Sequence, residues 1–339
     1  MVLDQRDILN RVVTYASGLQ LALEVVGSNL YGKDIQEWKS LLDEYERIPN
    51  KDIQEILLVS YNNLSELHQN VFLDIACCFK GYCLKEVENI LSAHHGLCMK
   101  YQIGLLVDKS LIKINEVKYV TLHNLIEMMG KEIVRKESVI ELGECSRLWF
   151  YKDIVHVLTE NTGSKSIQII HLDRPSTKVV IDLNGKAFEK MKNLKTLIIK
   201  SGSFSKGSMH LPRDLRVFKW QTYHSECIPS NLFNKIFIDM KILKFNRCKY
   251  LTDIPDVSSL PNLEKISFKY CKNLITIHNS IGFLSKLKVL NAKDCDKIMS
   301  FPPLKLTSLK KLGISGCKSL LNFPEILDKM EYIEFIFQN

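Results

Sequence analysis

The spacing of apolar residues changes twice along the chain. Through residues 1–48 they recur near helical spacing, in a run of Ile8, Val12, Val13, Tyr15 and Ala16 and a second run of Leu21, Leu23, Val25 and Val26, with Gly18 between them. Pro49 and Asn50 punctuate that stretch. A second helical set follows, with Ile53, Ile56, Leu57, Ser60 and Leu64 on one face and then Leu67, Val71, Phe72, Ile75 and Ala76. Further helices are predicted at 84–93 and 100–108, short β-like runs at 111–114 and 119–122, and a helix over 123–135. Three helices, a small hairpin and a closing helix outline a winged-helix domain.

Beyond the turn-rich Asn161-Thr162-Gly163-Ser164 the period becomes longer and repeats. Its clearest copies are Met240-x-x-Leu243-x-Phe245-x-x-Cys248, Leu263-x-x-Ile266-x-Phe268-x-x-Cys271, Leu287-x-x-Leu290-x-Ala292-x-x-Cys295 and Leu309-x-x-Leu312-x-Ile314-x-x-Cys317. Weaker copies start at Ile167, Leu194, Leu215 and Ile333, so eight starts are spaced 27, 21, 25, 23, 24, 22 and 24 residues. A period in the twenties is the leucine-rich-repeat pattern. Positions 1, 4 and 6 of each copy point inward from a short strand, and the cysteine fills a narrow step where the chain turns away. Ile254-Pro255, Phe301-Pro302 and Phe323-Pro324 mark the return paths, which are expected to be extended or irregular because proline donates no ladder hydrogen bond.

The fold class expected is therefore multidomain: a helical bundle remnant (1–48), a winged helix of α-helices with a small β hairpin (49–160), and an α/β leucine-rich-repeat solenoid (161–339). Composition fits an ordinary globular protein, with 46% hydrophobic and 25% charged residues. No apolar run reaches the roughly 18 residues of a membrane span, and residues 1–7 carry no signal-peptide core, so a cytoplasmic protein is expected, with the nucleus as a second compartment. Four of the ten cysteines belong to the repeat ladder, Cys77 and Cys78 sit in an apolar run, and none has the spacing of a metal site, so reduced thiols without metal are expected. The net charge of +8 divides unevenly: residues 1–165 hold 18 Lys and Arg against 23 Asp and Glu, and residues 166–339 hold 28 against 15. A basic solenoid attracts acidic surfaces, including the acidic half of its own chain.

Three motifs together resemble plant intracellular nucleotide-binding, leucine-rich-repeat disease resistance proteins of the Toll/interleukin-1-receptor class. Gly18-Leu19-Gln20-Leu21-Ala22-Leu23 is similar to the family's Gly-Leu-Pro-Leu-Ala-Leu element, with Gln20 in place of proline. The run Phe72-Leu73-Asp74-Ile75-Ala76-Cys77-Cys78-Phe79 is similar to the motif that marks the class, and Leu122-His123-Asn124-Leu125-Ile126 to the Met-His-Asp motif, with Asn124 in place of aspartate. The resemblance implies an innate immune receptor acting in defense response and signal transduction, with ADP or ATP as cofactor in the complete family. It implies that His123 reaches the β-phosphate of ADP, and that Asn124, Gly18, Leu19 and Gln20 line the same pocket. The chain has no Gly-x-x-x-x-Gly-Lys-Ser/Thr loop and no N-terminal signalling domain, so it reads as a fragment with weak or no nucleotide affinity of its own and no enzymatic activity. For His123 the competing reading is a helix cap.

The outward strand positions of the repeats collect Lys200, Lys219, Lys244, Arg247, Lys265, Lys269, Lys293 and Lys311, with Asp294 as the single opposing charge. This basic column is the candidate recognition surface for a pathogen effector or host protein, against the plainer reading of a solvated face that keeps the repeats soluble. Two alternatives differ in class: a nucleic-acid-binding regulator built on the winged helix and basic solenoid, and a truncated repeat scaffold or decoy without a switch. Glu127 and Glu132 on the helix 123–135, in the acidic half, argue against a phosphate-facing surface.

Overall fold

The computed structural model describes residues 2–16, 20–47, 51–138, 140–173, 182–183, 186–200, 203–204, 210–222, 232–327 and 334–335. The chain divides into two compact units, residues 1–88 with 98–136 and residues 89–97 with 137–339. The expected parts 1–48 and 49–136 thus form one unit.

The first unit begins with α1 (Val2–Ala16), α2 (Gln20–Leu30), α3 (Ile35–Arg47) and α4 (Lys51–Asn62). Gly32, at φ +76°, turns the chain between α2 and α3. A capping box then starts α3: Glu37 N–H donates to Asp34 Oδ1 and Asp34 N–H to Glu37 Oε2, each at 2.8 Å. Next come α5 (Glu66–Asp74), which runs on into a π-helical turn Ile75–Phe79, then α6 (Leu84–His95), which is divided between the units, and α7 (Lys100–Asp108). The wing is β1 (Lys113–Ile114) antiparallel to β2 (Val120–Thr121), followed by α8 (Asn124–Arg135).

The run 72–79 is the centre of this unit, with all eight residues buried. Its widened π turn keeps five consecutive residues, Ile75 to Phe79, out of water, which a regular amphipathic helix does not do. α8 approaches it closely through Gly130, where a Cβ would stand 2.7 Å from Ala76 Cβ and 3.2 Å from Phe72 Cε1. Phe72 also packs against Tyr61, with ring centroids 5.7 Å apart.

The second unit is built on a nine-stranded sheet in which every neighbouring pair is parallel. In order it runs β3 (Arg147–Leu148), β4 (Ile169–Leu172), β6 (Thr196–Ile199), β8 (Val217–Gln221), β9 (Ile242–Asn246), β11 (Lys265–Ser267), β13 (Val289–Asn291), β14 (Lys311–Gly313) and β15 (Glu334–Phe335). The sheet therefore starts before residue 161, at β3, and α9 (Tyr151–Thr159) stands between its first two strands.

Seven repeat starts read from the sequence lie two residues before a strand. The eighth is corrected: Phe335 pairs with Leu312, a fourth position, which places that repeat's start at 332 instead of Ile333. A one-residue slip exchanges inward and outward positions. Inward positions 1, 4 and 6 are filled by Leu215, Phe218 and Trp220, then Met240, Leu243 and Phe245, then Leu263, Ile266 and Phe268, all at most 2% exposed.

Among the described residues after α9 the return paths hold no α-helix. They carry short parallel pairs, β5 (Asp182–Leu183) with β7 (Ser203–Phe204) and β10 (Asp253–Ile254) with β12 (Thr276–Ile277), and a 3-10 turn Asn279–Phe283. Ile254, directly before Pro255, is extended as its proline requires.

The cysteine step is a hydrogen-bonded ladder. The thiols of Cys271, Cys295 and Cys317 donate to the sixth-position carbonyls of the preceding repeats, Phe245, Phe268 and Ala292, at 2.9, 3.0 and 3.2 Å. The residue before each cysteine adopts the left-handed conformation: Arg247, Tyr270 and Asp294 at φ 58°, 62° and 58°, and Gly316 at φ 76°. This turn aims each backbone N–H at the next repeat, as Tyr270 N–H does toward Lys293 O at 2.8 Å and Asp294 N–H toward Ser315 O at 2.8 Å.

Candidate functional site

His123 sits at the junction of two helices of the first unit. It is the N-cap of α8, with extended backbone (φ −60°, ψ 142°), and its Nδ1 accepts from Leu125 N–H at 3.1 Å. This meets one of the free donors of the first helical turn, the service usually given by Asn, Asp or Ser. An imidazole whose Nδ1 accepts carries its proton on Nε2, and Nε2 lies 2.5 Å from the carbonyl oxygen of Ala16, the last residue of α1. One neutral ring thus closes α1 and starts α8.

Burial is the largest influence on His123 and pushes its pKa below the ordinary 6.5; the bond to Ala16 pulls upward, and Lys113 and Lys80 add to the lowering. The neutral form that makes both bonds is the one favoured in the folded unit.

Asn124, the first residue of α8, accepts from Lys80 Nζ through Oδ1 at 2.9 Å. The same ammonium pairs with Glu127 Oε2, and Lys131 Nζ donates to Glu127 Oε1 at 2.6 Å. Burial raises the Glu127 carboxyl, but hydrogen bonds from Lys131 and Lys80 outweigh it and hold the group below its ordinary value. The Glu127–Lys131 pair was legible from its four-residue spacing. Lys80 was not singled out in the sequence, because 44 residues separate it from Asn124. Of the remaining pocket candidates, Gly18 and Leu19 lie outside the described residues and Gln20 is the first residue of α2.

These groups do not by themselves make a phosphate cradle. The single N–H of His123 is directed at Ala16, and Lys80 is bonded to Asn124 and Glu127. The cations of α8 face carboxylates as well, Lys131 at Glu127 and Lys136 at Glu132 (3.8 Å), which leaves that helix without a basic face for nucleic acid.

In the second unit the basic column is uneven. Lys219 is 2% exposed and is corrected from the recognition surface: it lies on β8, where outward positions are covered, as are His171 on β4 and Ile198 on β6. His171 is pushed down to about 3, first by burial and then by Lys200, with Asp173 opposing and Lys219 adding to the lowering. Lys200 pairs with Asp173, so Asp294 is not the single opposing charge. Residues 89–97 cover part of this face: His94 Nδ1 lies 2.9 Å from Thr196 Oγ1, Arg216 donates to His94 O at 2.8 Å, and Lys265 Nζ bonds to Asn89. Lys244, Lys269, Lys293 and Lys311 are half-exposed. Arg247 is exposed and lies over the ring of Tyr270, 5.3 Å from its centroid.

A helical unit with a small wing, followed by a parallel-sheet solenoid of leucine-rich repeats, defines the class of protein. Residues 65–138 belong to the winged-helix domain of Roq1-like disease resistance proteins. The chain as a whole is similar to TMV resistance protein N of Nicotiana glutinosa, 33% identical over 340 residues that cover 94% of this chain and 29% of that protein. It is 32% identical to disease resistance protein RPP2A of Arabidopsis thaliana (97% of this chain, 27% of that protein) and 32% identical to RUN1 of Vitis rotundifolia (84% and 25%). The chain thus spans between a quarter and a third of the length of these relatives. Among solved structures, the leucine-rich repeat domain of the type III effector XopL aligns with 50% of this chain and 51% of that chain at 16% identity and a TM-score of 0.27, too distant to carry an argument. Among the described residues no helix is long and apolar enough to cross a membrane.

Proposed function

We propose that this chain is the relay and recognition part of a plant innate immune receptor, in which the winged-helix unit is latched through His123 and the leucine-rich repeats bind a protein. The observation that carries the reading is the double engagement of His123, Nδ1 with Leu125 N–H and Nε2 with Ala16 O. A side chain that ends one helix and begins another makes their association conditional on its protonation and on any ligand that competes for it. Nucleotide enters as a property of a receptor that also supplies a phosphate loop; for this chain alone the expected ADP affinity is weak or nil. The proposed setting is the cytoplasm, the role is defense signalling, and no reaction is assigned. The recognition surface consists of the half-exposed lysines of β9 and beyond, including Lys244 and Lys269, facing an acidic protein.

The test is a chimera in which the matching part of TMV resistance protein N is replaced by this chain and expressed in leaf tissue. A signalling response that changes with His123→Ala, at equal protein accumulation, is expected. A chimera that accumulates normally and gives the same response with His123 or Ala at that position overturns the latch. Unchanged ligand binding by the Lys244→Glu, Lys269→Glu protein overturns the recognition surface.

A further inference from the structure

Where the chain leaves the sheet, one register position breaks the expectation that outward loop positions are polar. Counted from the first inward residue, position 13 is Ile275, Met299 and Leu321 in three consecutive repeats, 45%, 48% and 77% exposed. The residues that follow them, Thr276, Ser300 and Asn322, are exposed and polar, as a solvated edge requires. Backbone bonds hold this position in register from repeat to repeat: Ile275 N–H donates to Thr252 O at 2.8 Å and Leu321 N–H to Met299 O at 3.0 Å. The three side chains therefore form a stripe that advances by roughly one strand spacing, about 5 Å, per repeat.

The same edge carries exposed Lys249, Lys272 and Lys297, while its carboxylate Asp296 is paired with Lys318 at 3.7 Å. An apolar stripe bordered by cations, on a half-chain with 28 Lys and Arg against 15 Asp and Glu, repels a second copy of itself and favours an anionic partner. A helix laid along the solenoid axis presents residues at i, i+3 or i+4, and i+7 with a rise of about 4.5–6 Å per step, which matches the stripe.

We propose that Ile275, Met299 and Leu321, bordered by Lys249, Lys272 and Lys297, form a docking surface for an acidic amphipathic helix of a protein partner. This rests on the reading of the repeats as a recognition module, but it uses the edge rather than the concave face. Its failure therefore leaves the results for Lys244, Lys269 and His123 untouched.

The experiment is fluorescence anisotropy of the full chain with a labelled synthetic helix that carries leucine at i, i+3, i+4, i+7 and i+8 and glutamate elsewhere. The control peptide has lysine in place of each glutamate. Saturable binding of the acidic peptide alone is expected, weakened about tenfold or more by Ile275→Asp with Met299→Asp. Binding should also weaken with rising salt and in Lys249→Glu with Lys272→Glu. Far-UV circular dichroism and melting confirm that these exposed substitutions leave the fold intact. Absence of saturable binding, equal binding of both peptides, or unchanged affinity in the Asp variants overturns the proposal. A wild-type dimer in sedimentation that Met299→Asp dissolves assigns the stripe to a second copy and overturns it as well.

Discussion

His123 and Ala16, 107 residues apart in sequence, share a 2.5 Å hydrogen bond that ties the last carbonyl of α1 to the residue that caps α8. Helix ends leave such carbonyls and amides without partners, and one imidazole serves one of each. His123→Ala removes both bonds and should cost about 1–3 kcal/mol of stability, read as a shift of the urea midpoint of the first unit. His123→Asn keeps a side-chain acceptor for Leu125 N–H, so its cost should be about half as large.

The same ring gives the unit a pH dependence of defined sign. In the unfolded chain His123 titrates near 6.5, and in the folded unit burial holds it lower. Between those values the unfolded chain binds more protons, so stability rises with pH there. The contribution is complete above about 6.5 and is lost as pH falls through the lowered folded value, because a protonated Nδ1 no longer accepts from Leu125. Urea titrations between pH 5 and 8 should show this slope in the wild type and a flatter one in His123→Ala.

Asn124 and Lys80, 2.9 Å apart, predict how an aspartate at this position would behave. Asn124→Asp adds an anion at the first residue of α8 beside an ammonium, and should stabilise by about 0.3–1 kcal/mol at low salt. In a Lys80→Gln background the new carboxylate faces Glu127 without that ammonium, and the substitution should become destabilising. A thermal-melt cycle of the four proteins reads the coupling.

Gly130 lets α8 rest on the buried run at Phe72 and Ala76. Gly130→Ala should destabilise by about 1–3 kcal/mol despite the better helix propensity of alanine, because the added methyl meets Ala76 at 2.7 Å. Adding Ala76→Gly should recover part of the loss; a double variant no more stable than Gly130→Ala contradicts the packing.

How much of this was legible depended on whether a feature is written in apolar periodicity. The repeat starts from Ile167 to Leu309 were readable because positions 1, 4 and 6 carry large apolar residues that the sheet buries. The wing was readable as two short β-like runs, and His123 from its place before an apolar helix. The last register was missed because Tyr332, Ile333, Phe335 and Ile336 offer two apolar phases, and only pairing with β14 decides between them. β3 and α9 were missed because Arg147 and Leu148 give two residues of pattern and nothing that repeats. The left-handed step was hidden because Arg247, Tyr270 and Asp294 occupy it, and glycine marks it only at Gly316. Burial of Lys219 follows from what covers β8, which strand alternation does not encode.

The thiol ladder predicts selective reactivity. Cys271, Cys295 and Cys317 are raised above the ordinary thiol range; neighbouring Cys248 and burial raise Cys271, and burial is the leading cause for the other two. Brief alkylation of the native protein with iodoacetamide should label exposed Cys98 and spare Cys271 and Cys295 until the solenoid unfolds. Cys271→Ala leaves the Phe245 carbonyl without its thiol donor and should cost about 1 kcal/mol.

The latch is tested most directly by amide hydrogen exchange in α1 and α8 of His123→Asn at pH 7.5. Asparagine at the cap retains an acceptor for Leu125 N–H but is too short to reproduce the imidazole bond to Ala16. The account predicts that the first turn of α8 stays protected while the last turn of α1 exchanges faster than in the wild type. Equal protection of α1 in the two proteins would contradict the claim that His123 holds these helices together.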